Sequence, residues 1–266
     1  MTPLPDHAPR LSQPHSGAIA GRAALALALT LLLPAAAGAE EWQFTATPYL
    51  WLQGTTGDVE VRGVEAHLDD SFFDMLDSSD TLLGGFLHLE GRNAGWGFWL
   101  EGNYAYSFVE GAPVGPGSSV ETGLTIFEGG GLARIAGGPL GDAGQWRLEA
   151  LAGLRYVAFD ATIELGPLEV ERRNDWVDPL VGLGATLDLG ERWTLIAHGD
   201  VGGFGIGSDF TANLYGLVGY RSEIFGATVL STVGYRGFYF DREDEGRNSS
   251  ADLWLHGPVL GMTFQF

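Results

Sequence analysis

The sequence predicts an all-β fold, a closed antiparallel transmembrane β-barrel of about ten strands behind an N-terminal signal peptide, with eight and twelve strands as the neighbouring solutions. Three observations carry this. Apolar and polar residues alternate with a period of two through ten segments of 12 to 17 residues. Past the N-terminus no stretch approaches the 18 or so consecutive apolar residues of a membrane helix. The connections alternate between tight turns and longer polar loops, as the two rims of an outer-membrane barrel require.

Residues 1–39 read as the signal peptide. Arg10 and Arg22 precede the apolar run Ala23 to Leu33, and Ala37-Gly38-Ala39 supplies small residues for cleavage ahead of Glu40. That leaves 40–266 as the barrel domain, with 33 acids against 12 bases, every base an arginine. A chain so acidic is a poor partner for nucleic acid, whose binding needs clustered cations. There is no cysteine, so an exported product is held by packing and hydrogen bonds alone.

The predicted strands are 41–52, 81–92, 96–108, 119–135, 145–160, 174–189, 192–206, 209–221, 224–240 and 251–266. In the third, Trp96, Phe98, Leu100, Tyr104 and Tyr106 share one face, with Trp99, Glu101 and Asn103 on the other. In the fifth, Trp146, Leu148 and Leu154 oppose Arg147, Glu149 and Arg155. In the ninth, Val233, Tyr235 and Tyr239 oppose Thr232 and Arg236. Asn93-Ala94-Gly95, Gly190-Glu191 and Ser222-Glu223 are short turns, while 53–80, 109–118, 161–173 and 241–250 are longer. Trp42, Trp96, Trp146, Trp176, Trp193 and Phe266 sit near strand ends, where an interfacial aromatic girdle belongs. A soluble periplasmic ligand-binding barrel, apolar inside and charged outside, is the alternative. Against it stand the sparse charge opposite each apolar face and strands far longer than the globular mode of about 5 to 6 residues.

With the apolar face towards lipid, the inward set is Glu90, Glu101, Asn103, Arg147, Glu149, Arg155, Asp178, Asp188, His198, Asp200 and Arg236. Arginines among carboxylates in a narrow cylinder are expected to form a satisfied polar network, because an unpaired buried charge costs several kcal/mol. An acid-lined path for cations is the functional version. Pro48, Pro179 and Pro258 lack a ladder donor and are expected at bulges near a rim; the alternative is that the seam between the first and last strands, which hold Pro48 and Pro258, is locally weak and can open. Glu128 shares a face with Leu124 and Ile126, so a bulge at Gly129-Gly130-Gly131 is expected to restore the register.

No histidine pair has metal-binding spacing, and neither a metal nor a cofactor site is predicted. His198, Asp200 and Ser208 share one region, the composition of a hydroxyl nucleophile with an imidazole base. Two positions along a strand span about 7 Å, which predicts no direct His198–Asp200 hydrogen bond. The acidic loop 53–80 carries Asp58, Glu60, Glu65, Asp69, Asp70, Asp74, Asp77 and Asp80. Val59, Val61 and Val64 suggest a hairpin in it. Ser71 to Leu76 suggests a helical turn, with Phe72, Phe73, Met75 and Leu76 folding over the mouth. Its acids suit divalent cations bridging to anionic lipopolysaccharide, although EF-hand spacing is missing.

The last strand, with Leu260, Met262, Phe264 and Phe266 on one face, resembles the C-terminal signature of bacterial outer-membrane proteins. That resemblance implies recognition by the barrel-assembly machinery. Thr47-Pro48-Tyr49-Leu50-Trp51-Leu52, Phe72-Phe73-Asp74-Met75-Leu76-Asp77, Asp175-Trp176-Val177-Asp178-Pro179, Asp200 to Ser208 and Gly257 to Gly261 resemble a family of uncharacterised proteobacterial outer-membrane barrel proteins. The resemblance spans almost all of 40–266 and implies a location and fold but no activity. The expected role is non-catalytic, either envelope structure or narrow passive permeation. A lipid A-modifying enzyme using His198 is the second expectation, and the periplasmic ligand-binding barrel the third.

Overall fold

The computed structural model describes residues 42–61, 64–110, 118–165, 168–224, 226–244 and 249–266. The expected signal peptide 1–39 lies outside them. Among the described residues the strands are β1 (Gln43–Trp51), β2 (Gly54–Val61), β3 (Val64–Asp70), β4 (Thr81–Arg92), β5 (Trp96–Glu110), β6 (Ser118–Pro139), β7 (Gly144–Leu165), β8 (Leu168–Leu189), β9 (Trp193–Gly203), β10 (Phe210–Ile224), β11 (Ala227–Asp244) and β12 (Ser249–Gln265). One short helix, α1 (Phe72–Ser78), joins β3 to β4.

Ten strands close the cylinder. Each of β4 to β12 pairs antiparallel with its sequence neighbour, and β1 pairs with both β4 and β12. In β12 the lower half faces β1, and the upper half pairs with β2, from Ser249↔Val61 to His256↔Gly54. The first wall strand thus breaks at Leu52–Gln53 and continues upwards as β2, which carries β3 as a hairpin. Gly257 makes the break possible, since any side chain there would collide with the Leu52 carbonyl oxygen.

The start of β1, the end of β12, the turns at 93–95, 140–143 and 190–192 and the Ile224↔Ala227 end of the β10–β11 ladder share one rim. In outer-membrane barrels the short turns are periplasmic and the longer connections extracellular. The 161–173 connection expected as a loop is instead ladder, with β7 and β8 paired up to Leu165↔Leu168.

The faces sort as a membrane barrel demands. Leu154 is 57% exposed and Leu214 67%, whereas Arg155 and Arg236 are buried at 0% and 3%. The buried charges are inside and the exterior is apolar, which overturns the soluble periplasmic alternative. At the periplasmic rim Trp96 lies edge-on to Trp42, with centroids 4.9 Å apart, and Trp193 edge-on to Tyr220 at 5.1 Å. Near the other rim Tyr239 packs between Phe210 and Trp254 on the outside. Trp176 is not in a girdle. It has the parity of Asp178 and points inwards, 8% exposed.

Two irregularities differ from the sequence expectation. No bulge falls at Gly129 to Gly131, and the ladder slips instead at Arg134/Ala136. Ile126 and Leu132 are inside with Glu128, so the register never needed correcting. The prolines are not at bulges either; each stands where a ladder is interrupted, ends or changes partner. Pro179 directly precedes Leu180, the last β8 residue paired with β9. Pro258 lies between the β1-paired and β2-paired parts of β12, and its carbonyl accepts from the Leu52 N–H. Pro48 stands in a gap: the β1–β12 ladder runs from Thr45↔Gln265 and Ala46↔Phe264 to Tyr49↔Gly261, skipping two pairs.

The β2–β3 hairpin and α1 occupy the acidic 53–80 segment. Ser71 caps α1: its hydroxyl accepts from the Asp74 N–H, and the Asp74 carboxylate accepts from the Ser71 N–H. The helix does not cork the mouth as expected, since Phe73 is 66% exposed and Leu76 50%. Hydrogen bonding to Ser71 holds the Asp74 carboxyl below its ordinary value, and the hydrogen bond to Asp58 raises His67. The two effects have opposite pH signs. The Asp74 contribution is present above the ordinary carboxyl pKa and lost as pH falls through the lowered value. The His67–Asp58 contact is fully present below the ordinary imidazole pKa and lost as pH rises through the raised one. Histidine NMR titration is expected to show His67 above 6.5, returning towards it in Asp58→Asn.

Candidate functional site: a braced lumen over a periplasmic vestibule

All eleven residues expected to face the lumen lie on its inner face, and the structure divides them into layers. The middle layer is a brace around two guanidinium groups. Arg155, on β7, donates to Glu128 on β6 at 2.7 Å, to Asp200 on β9 at 2.6 Å and to the Thr211 hydroxyl on β10 at 3.0 Å. Arg236, on β11, donates to Glu101 on β5 at 2.5 Å, to the Tyr49 hydroxyl on β1 at 2.9 Å and to Asn213 on β10 at 2.9 Å. Glu128 joins the two halves, lying 3.8 Å from Arg236. Seven strands are thereby tied across the lumen. The remaining acceptor sites are also used: Glu101 takes His88 at 3.0 Å, and Asp200 takes His198 at 2.9 Å and Asn213 at 2.9 Å.

Above the brace, towards the extracellular end, the lumen is apolar. Trp51, Ile126, Val157, Trp176, Phe238, Phe240 and Leu255 form one buried cluster. Arg155 lies under the Phe238 ring at 4.7 Å and Arg236 under Trp51 at 4.8 Å, so both cations are roofed by aromatic faces. Asp178 closes this layer laterally. Its carboxylate accepts from the Ser208 N–H at 2.7 Å, the Ser208 hydroxyl at 2.6 Å and the Trp176 indole N–H at 3.0 Å. The turn it holds, between β9 and β10, carries Gly203, Phe204 and Gly205 at positive φ.

Below the brace the lumen widens into a vestibule of about 470 Å³. Glu90 pairs with Arg92, Glu149 with Arg92 at 3.4 Å and Arg147 at 3.1 Å, and Asp188 with Arg221 at 3.3 Å. Trp99, Leu132 and Leu151 make one apolar wall. Ile196, Leu217, Leu230 and Val259 make another.

His198 and Asp200 do bond, contrary to the spacing estimate, because side chains on one face of a strand can lean along it. The nucleophile arrangement does not follow. Ser208 is committed to Asp178, and the His198 ring stacks on Tyr215 at 4.7 Å. Leu260, Met262 and Phe266 face outwards, at 46%, 39% and 77% exposure. Sequence reasoning missed Glu128, Tyr49, Thr211, Asn213, His88 and the cluster above the brace. Parity alone places Thr211 and Asn213 inside, whereas it put Glu128 with the apolar Leu124 and Ile126. Among the described residues no group of three or more metal-ligating side chains converges.

No family model matches the sequence. No curated protein matches it either. Solved structures similar in fold include the attachment invasion locus protein Ail of Yersinia pestis, 12% identical, covering 86% of this chain and 100% of that one with a TM-score of 0.37. The translocator domain of the autotransporter NalP from Neisseria meningitidis is 15% identical over 94% of this chain and 95% of that one, at 0.35. The toluene transporter TodX of P. putida is 11% identical over 86% and 91%, at 0.24. The barrel assignment rests on the chain's own ladders. With each of the ten barrel strands laddered to a neighbour on both sides and an apolar exterior around buried charges, this chain is an integral outer-membrane β-barrel.

Proposed function

We propose that the barrel serves the envelope as a structural, non-catalytic protein that is shut at rest, with any narrow permeation limited to what passes the brace. The observation that supports this is the Arg155–Arg236 network beneath the aromatic cluster, which fills the lumen cross-section from strand to strand. An eight-stranded barrel is just filled by its side chains, and ten strands widen it only slightly. Here bulky residues take up the difference above the brace, and the vestibule takes it up below.

The exposed acids of the β2–β3 hairpin and α1 stand at the extracellular end, which supports contact with lipopolysaccharide through divalent cations. The outward Leu260, Met262, Phe264 and Phe266 support recognition of β12 by the barrel-assembly machinery. In planar bilayers the purified barrel is expected to give no steady conductance at high salt. Long-lived unitary steps from the unaltered protein would show an open path and overturn the resting closure.

A further inference from the structure

We propose that the vestibule binds one acyl chain of an inner-leaflet phospholipid, admitted sideways from the bilayer through the β1–β12 seam at Pro48. The inference rests on the membrane placement of the barrel and is independent of whether the brace conducts.

The seam is the first observation. β1 is the shortest of the ten wall strands, and its ladder to β12 skips the pairs at Thr47/Thr263 and Pro48/Met262 while keeping the register on both sides. Proline cannot donate to a ladder. Across the gap the strands are joined instead by a side-chain bond, Thr47 to Thr263 at 2.9 Å. In hydrocarbon the backbone ladder is what holds a wall together, so the gap is the place where strands part at least cost.

The second observation is what lies behind the gap. Thr47 and Thr263 both line the vestibule, and Leu230 is the ladder partner of Thr263. Leu217 and its ladder partner Ile196 line the same cavity. Trp99 and Leu151 face it from the opposite side. About 470 Å³ is within the range of small-ligand cavities, and its apolar patches are set among polar and charged lining residues, a mixture that suits an acyl chain carrying a polar headgroup.

The third observation is the mouth. Arg92, Arg147 and Arg221 ring the periplasmic end, beside the short turns, at the level of the inner-leaflet headgroups. Arg92 Nη1 and Arg147 Nε are buried without a hydrogen-bond acceptor, although Glu149 lies within ion-pair distance of both. Guanidinium groups below an apolar slot, each beside a carboxylate, match a phosphate headgroup below its acyl chain.

The chain has no cysteine, so a pair introduced across the seam is unique. The test uses the barrel with Thr47→Cys and Thr263→Cys, reconstituted in phosphatidylethanolamine/phosphatidylglycerol vesicles containing a phospholipid brominated midway along one acyl chain. The Trp99 signal is the difference between this protein and the same protein carrying Trp99→Phe. With the thiols reduced, bromolipid is expected to remove most of the Trp99 intensity. With the disulfide closed before lipid is added, that loss is expected to vanish. A Val181→Cys, Val201→Cys pair on the intact β8–β9 ladder, outside the vestibule, is expected to leave the loss unchanged in either redox state. A Trp99 signal indifferent to bromolipid overturns the binding site, and quenching that persists behind the closed seam overturns the lateral route. Should Trp99→Phe fail to assemble, native mass spectrometry of the cysteine pair serves instead. A phospholipid adduct is expected only when the seam is reduced, and no adduct, or an equal one in both states, overturns the proposal.

Discussion

Arg155→Met is expected to destabilise the barrel by about 3–5 kcal/mol, the usual cost of removing one partner from a buried ionic cluster. The size follows from what is left behind. Arg155 is fully buried and makes three charge-assisted or hydroxyl hydrogen bonds to three other strands. Asp200 would retain His198 and Asn213, but Glu128 would retain only Arg236, at 3.8 Å. Methionine fills the space under Phe238 and supplies no donor, so the loss is electrostatic and not a cavity. The measurement is the urea midpoint at which the folded, heat-modifiable band disappears, with an unchanged slope showing that the same surface unfolds. Adding Glu128→Gln and Asp200→Asn to Arg155→Met is expected to recover most of the loss, because neutral groups leave no orphaned charge in the lumen. A single variant that unfolds at the parental urea concentration would mean that the brace carries none of the barrel's stability.

That brace was half legible in the sequence. Period-two sorting turns Arg155, Arg236, Glu101 and Asp200 inwards, because a charge on the lipid face of a strand costs a few kcal/mol. Which of them meet is not legible. Arg236 and Glu101 are 135 positions apart and come together only through the tilt of the strands around the cylinder. The assumption that apolar means outward then misplaced residues in a predictable place. Ile126 has the parity of Glu128, and Trp176 that of Asp178. Both readings failed because the upper lumen is dry and filled with aromatic and branched side chains, so two apolar faces exist at that height. The prolines carry the same lesson. Their missing donors are evident from composition, whereas the ladder that loses a bond at Pro48 is identified only by the pairing.

Asp178→Ala is expected to cost roughly as much as the loss of Arg155 and, unlike it, to act first on one turn. The β8–β9 ladder stops at Leu180↔Gly202, just below Pro179, yet the chain must still cross to β10 over an otherwise unpaired end. The Asp178 carboxylate supplies the acceptors that further strand pairing would have provided, taking the N–H and hydroxyl of Ser208 and the indole of Trp176. Three buried donors lose their acceptor together, each worth about 1–3 kcal/mol when left unsatisfied, although such costs do not simply add. The turn also holds Phe204 at φ 53°, a left-handed conformation that a non-glycine residue keeps only when its surroundings impose it. Amide exchange across 204–209 is therefore expected to accelerate well before the barrel unfolds, and the buried Trp176 emission is expected to shift to the red. Ser208→Ala separates the parts: it removes one donor together with its bond, leaves the Ser208 backbone N–H bonded to Asp178, and is expected to cost only about 1 kcal/mol. Equal losses in Asp178→Ala and Ser208→Ala would place the whole effect in the hydroxyl and leave the carboxylate no role in closing the turn.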